Sequence, residues 1–155
     1  MNGLFLFFSA HFDRDNGLDM GRLSLNDLNK GTLDIWIASS SHTKGQMKEG
    51  FHSYGGYLPP QYRCKDLPNY FVKTTPIDMR QTKGVRGNFY QILPYKIKTD
   101  KGGTRSDFGV HLDGDYPGSL GCIVMNAERF KHFEEVMRAI YARKILLLPL
   151  FVQYS

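Results

Sequence analysis

The stretch Asn126–Tyr154, NAERFKHFEEVMRAIYARKILLLPLFVQY, changes its hydrophobic period part-way along, and that change decides the fold class. In the first half Phe130, Phe133, Met137 and Ile140 recur at spacings of three and four. Lys131, Glu134, Glu135 and Arg138 fall on the opposite side, so the spacing predicts one amphipathic helix. Asn126 is a good N-cap, because its side-chain oxygen accepts an otherwise unpaired N–H, and Glu128 sets a negative charge against the positive end of the helix. Arg143 and Lys144 close the other end favourably. From Ile145 to Tyr154 the chain becomes a run of Leu, Phe and Val broken only by Pro149. This reads as a strand, which proline confines at that point to an edge or a bulge.

Upstream of the helix the pattern is one of strands and turns. Gly3 to Phe12 is rich in Leu and Phe and is followed by Asp13 to Gly17, whose Asp, Asn and Gly signal a hairpin turn. Arg22 to Leu28 and Leu33 to Ala38 are two further strands, joined tightly through Asn29, Lys30 and Gly31. Trp36, in the second of these, is expected in the core. Ser39 to Gly56 shows neither period and reads as a long surface loop. More strands are expected near Tyr62 to Lys65 and at Tyr70 to Lys73, Asn88 to Leu93, Tyr95 to Lys98 and Phe108 to Leu112. No repeat or linker interrupts the 155 residues, so residues 1–155 are read as one domain, mainly β, with a mixed sheet and one or two helices.

Composition narrows the function classes. With 41% hydrophobic and 23% charged residues the chain resembles an ordinary globular domain, which argues against disorder. The net charge of +5 would attract an anionic polymer or a carboxylate-bearing peptide. The basic residues are scattered rather than gathered into a run, so no nucleic-acid partner is expected. Two cysteines, Cys64 and Cys122, are too few for a disulfide framework and lack the spacing of a zinc site; no metal and no cofactor is expected, and Cys64 reads as structural. His11, His42, His52 and His132 lack ligand-like spacing and are expected to have no special role. No apolar run approaches the ~20 residues that cross a bilayer, and Leu4 to Phe8 is too short for a secretory signal. The expectation is a chain made in the cytoplasm without a signal peptide and without a membrane span.

The chemistry concentrates in Phe108-Gly-Val-His111-Leu-Asp-Gly-Asp-Tyr-Pro-Gly-Ser119-Leu-Gly121-Cys122-Ile-Val-Met125. A thiolate, not a thiol, is the nucleophile, and an unperturbed cysteine has a pKa of about 8.5, so a reactive cysteine needs a base nearby. If the strand ending at His111 reverses through Asp113 to Gly118, the imidazole comes within reach of Cys122. Gly121 leaves room for a carbonyl to approach, and the N–H groups of Gly121 and Cys122 are placed to hold a developing oxyanion. Taken singly, Cys122 also fits a small buried apolar residue, Ser119 a turn residue and Asp113 and Asp115 plain turn chemistry.

Taken together, His111 followed by Ser119-Leu-Gly121-Cys122-Ile123 resembles the histidine and Ser/Thr-x-Gly-Cys-hydrophobic signature of L,D-transpeptidase catalytic domains. It is most similar to the short versions found in some phage and interbacterial toxin proteins. Tyr57-Leu-Pro59-Pro60-Gln-Tyr62 and the preceding Ser39-Ser40-Ser41 resemble the element that leads into a strand in that family. The resemblance spans roughly residues 33 to 125. It departs at two places: Leu120 and Val124 stand where many members have a second histidine and an arginine. The lost arginine bears on carboxylate binding, for which Arg105 or Arg129 is a candidate, though each also fits a solvated surface arginine.

The resemblance implies an L,D-transpeptidase-like β-sandwich with one helix in the C-terminal half. It implies a peptidoglycan-modifying enzyme in which Cys122 forms a thioester with a muropeptide stem peptide and His111 acts as base. Gly121, Ser119 and Arg105 would bind the oxyanion or the substrate. Resolution by an amine makes this a transpeptidase, and resolution by water a carboxypeptidase or endopeptidase. The implied partners are stem peptides and a delivery machine, a phage particle or secretion system, that brings the protein to the cell wall. The alternative is an inactive binding or structural module of a virion or secretion system that keeps the fold.

Overall fold

A computed structural model describes residues 2–11, 20–40, 57–61, 64–65, 69–99, 103–114, 119 and 121–155. The expected turn at Asp13 to Gly17, residues 41–56 of the expected loop, with His42 and His52, and residues 115–118 of the turn before Cys122 lie outside these. So does the Cys64 side chain.

Among the described residues the chain forms β1 (Leu4–Ala10), β2 (Met20–Asp27), β3 (Gly31–Ser39), β4 (Cys64–Lys65), β5 (Tyr70–Lys73) and β6 (Ile77–Met79). There follow β7 (Gly87–Leu93), β8 (Lys96–Thr99), β9 (Thr104–Ser106), β10 (Gly109–Leu112), β11 (Ile123–Met125), α1 (Ala127–Ala142) and β12 (Leu147–Tyr154). Among the described residues the fold is mainly β with a single helix, as the hydrophobic patterns imply.

In β1 the residues Leu4, Leu6, Phe8 and Ala10 are buried and the intervening ones are not, the alternation of a strand with one face on the core. The turn between β2 and β3 follows from Asp27, whose Oδ1 accepts the N–H groups of Asn29 and Lys30 at 2.8 and 3.0 Å. Large-sheet neighbours run β10-β11-β3-β2-β1-β12-β5-β7, with β6 also on β7, and β10 pairs with β7 as well. That last pairing, with Val110 beside Tyr90 and His111 beside Phe89, closes eight strands into a ring. Closure satisfies the edge N–H and C=O groups that an open sheet leaves exposed. Strands β4, β8 and β9 form a separate small sheet.

Pro149 fits this arrangement in a particular way. Strand β12 lies between β1 and β5, but its ladder with β1 begins only at Leu150, so at Pro149 the strand has β5 alone beside it. The missing N–H is thus placed where no β1 ladder needs it.

The helix packs as its spacing predicts. Asn126 accepts the Arg129 N–H at 2.9 Å, and Phe130, Phe133, Met137 and Ile140 are buried. Phe133 meets Trp36 and Tyr90 edge-on, at ring separations of 5.2 and 5.3 Å. His132, expected to have no special role, makes a structural bond: its Nδ1 accepts the Trp36 indole N–H at 2.9 Å. A buried indole N–H needs a partner, and the helix brings this one. Among the described residues no helix is long and apolar enough to cross a membrane.

Candidate active site

Strand β10 carries His111, and Cys122 stands one residue before β11. The two strands run parallel, with Val110 beside Ile123, His111 beside Val124 and Leu112 beside Met125. Val110, Ile123 and Met125 belong to the core, so His111 and Val124 take the opposite face. Cys122 lies in the bend just before β11, one step back from Ile123 and so level with Gly109 rather than with His111.

The sequence expectation sets sulfur against imidazole; the chain returns Cys122 beside the strand that carries His111, and each group bonds to other partners. The Cys122 thiol donates to the Asp107 carbonyl at 3.6 Å, and the Gly109 backbone N–H bonds to its sulfur. His111 Nδ1 lies 2.7 Å from the Leu112 carbonyl. A carbonyl only accepts, so Nδ1 carries the proton and Nε2 holds the lone pair in the neutral ring. That is the tautomer of a general base acting through Nε2.

Burial acts on both groups. It pushes the half-buried Cys122 thiol up to about 11, against the smaller opposing effects of the Gly109 N–H and the Arg105 charge and with a further push from Asp107. It draws His111, 6% exposed, below its ordinary value of 6.5, partly offset by the bond to Leu112. Both groups are neutral at pH 7.

The turn that presents Cys122 is held on several sides. Gly121 has φ 111°, a left-handed conformation open to glycine, and a β-carbon there would lie 2.5 Å from Arg105 Nη2 and 2.7 Å from the Phe108 ring. Ser119 Oγ donates to the Cys122 carbonyl. Its hydroxyl is thereby committed to the turn, which differs from the oxyanion or substrate contact expected of it. Arg105, 6% exposed, lies over the Phe108 ring at 5.1 Å and donates from Nη1 to the Tyr57 carbonyl at 2.7 Å. Packed under Gly121, it brings positive charge to the thiol rather than standing open to a substrate carboxylate.

Two residues without a role in the sequence reading belong here. Phe89, opposite His111 on β7, stacks on the imidazole at 5.8 Å and fills the space over Gly109, where a β-carbon would lie 2.2 Å from the ring. Phe89 thus lines the site beside His111 and Gly109. Ser40, 1% exposed, accepts the Leu58 N–H at 2.9 Å and donates to the Gly121 carbonyl at 3.0 Å. The run Ser39-Ser40-Ser41 was the available signal for Ser40; strand pairing, which spacing does not reveal, was the one needed for Phe89.

No protein-family model matches the chain, and comparison with curated proteins and with solved structures gave no match.

Proposed function

We propose that the protein is a cysteine acyltransferase or peptidase acting on the stem peptides of peptidoglycan, with Cys122 as nucleophile and His111 as general base. The observation that carries this reading is the parallel register of β10 and β11. It brings a glycine-preceded cysteine level with Gly109 on the strand that carries His111, whose Nε2 holds a lone pair. The signature of His111 and Ser119-Leu-Gly121-Cys122-Ile123 supplies the choice of substrate.

The chemistry runs in two stages. Cys122 turns from the Asp107 carbonyl toward His111, and its sulfur attacks the carbonyl of an L,D peptide bond as the S–H proton passes to Nε2. The C–N bond breaks, the proton goes from His111 to the leaving amine, and a thioester remains on Cys122. Water or an acceptor amine then attacks the thioester, with His111 taking that nucleophile's proton and returning it to sulfur. Arg105 keeps positive charge near the sulfur as negative charge develops.

A second reading has an observation in its favour. The Cys122 thiol donates to the Asp107 carbonyl rather than to His111, and burial pushes it up, as suits the inert cysteine of a binding or structural module. Incubation with muropeptides separates the two. Under the enzyme reading the wild-type chain changes their masses by loss or exchange of a residue, and Cys122→Ala does not. Unchanged muropeptides with both proteins, despite their binding, would establish the module instead.

A further inference from the structure

Ser40 and Arg105 lie on opposite sides of one peptide unit. The Tyr57 carbonyl accepts from Arg105 Nη1 at 2.7 Å, and the Leu58 N–H of the same unit donates to Ser40 Oγ at 2.9 Å. The Ser40 hydroxyl in turn donates to the Gly121 carbonyl at 3.0 Å, which is one end of the Gly121–Cys122 peptide. That peptide is trans, so its N–H points opposite to its C=O. With the carbonyl drawn to a buried serine, the Cys122 N–H is aimed the other way, away from Ser40.

We infer that Arg105, the Tyr57–Leu58 peptide and Ser40 form a hydrogen-bond chain that aims and polarises the Cys122 N–H as the oxyanion donor of the site. Every donor in the chain points the same way, from the guanidinium to Oγ and on to the Gly121 carbonyl. Hydrogen bonds in series strengthen one another, most so in a water-poor interior, and Arg105, Ser40 and Leu58 are 6%, 1% and 0% exposed. The cation at the inner end draws electron density along the chain and leaves the terminal N–H more positive. Arg105 and Ser40 are positioning residues here; neither touches the reacting atoms.

This inference rests on the reading of Cys122 as an acyl-accepting nucleophile, and it differs from that reading in what it predicts. Acylation by p-nitrophenyl acetate passes through an oxyanion: sulfur bonds to the acetyl carbon, p-nitrophenolate leaves, and the thiol proton goes to His111. Alkylation by iodoacetamide displaces iodide from a saturated carbon and makes no oxyanion. Both rates are read at Cys122 by peptide-resolved mass spectrometry of the whole chain.

Ser40→Ala is expected to slow acylation on the order of tenfold, part of the ~100- to 1000-fold that deleting an oxyanion donor costs, and to leave alkylation within about twofold. Ser40→Thr, which keeps the hydroxyl, restores acylation. Arg105→Met breaks the chain at its far end and also removes positive charge from beside the sulfur, so it slows both reactions but acylation by more; the ratio of the two rates is an independent arm should Ser40→Ala fail to fold. Equal loss of both rates would mean that the turn merely collapses, and no loss would mean that the chain is idle; either overturns the inference. A wild-type Cys122 that alkylates but takes no acetyl group would instead overturn the reading beneath it.

Discussion

At Cys122 and His111 burial works in opposite senses on the two pKa values and gives the same result, a neutral pair at rest. The thiol is pushed up to about 11 and the imidazole is drawn below 6.5. In the proposed reaction the proton therefore moves during attack, and the rate follows neutral His111. It holds steady through neutral pH and falls only as the imidazole is protonated, below pH 6.5. His111→Gln should lower turnover by about 100-fold or more, the usual share of a general base, and abolish that acid limb; a pH–rate profile of both proteins checks this. The thiol also has a stability consequence. Its folded pKa lies above the ordinary 9.0, so the stabilisation it gives is complete below pH 9.0 and is lost as pH rises toward 11. Urea melts of the wild type should lose stability over that window more steeply than those of Cys122→Ala.

At the scale of the element, α1 is held by its cap and its stripe. Asn126→Ala removes the acceptor of the Arg129 N–H and should cost about 1 kcal/mol. Phe133→Ala empties the space between Trp36 and Tyr90 and should cost roughly 3–5 kcal/mol; denaturant melts rank the two. This helix was legible in the sequence because its cap and its four buried residues are local signals. Strands β1, β3, β5 and β7 were legible for the same reason, each long enough to show a pattern between turns. Strands β6, β9 and β11 were not: three residues each carry no period. The candidate pair was legible as residues, through the signature around Gly121 and Cys122. Its geometry was not, because the offset of Cys122 from His111 depends on the register of β10 against β11. His132 escaped notice because its partner, Trp36, lies 96 residues away in the chain.

At the scale of the whole molecule, long-range pairings hold the site. Strand β10 is braced by β7 on one side and β11 on the other, and the ring returns to β7 through β3, β2, β1, β12 and β5. The β1–β12 ladder, with Leu6 beside Leu150 and Ala10 beside Tyr154, joins the two ends of this circuit. Removing residues 147–155 strips β1 and β5 of their shared neighbour and takes Leu148, Leu150 and Val152 from the core. The truncated chain should lose cooperative unfolding by circular dichroism, whereas a ring that tolerates an open edge would keep it. In the proposed reaction Cys122, just before β11, accepts an acyl group from a cell-wall peptide. The most direct measurement is the mass of the Cys122 peptide after brief incubation with muropeptides and an acid quench. An added stem-peptide acyl group, removed by hydroxylamine and missing in Cys122→Ala, is the predicted result. An unmodified Cys122, in a folded protein that releases no muropeptide product yet still reacts with iodoacetamide, would contradict it.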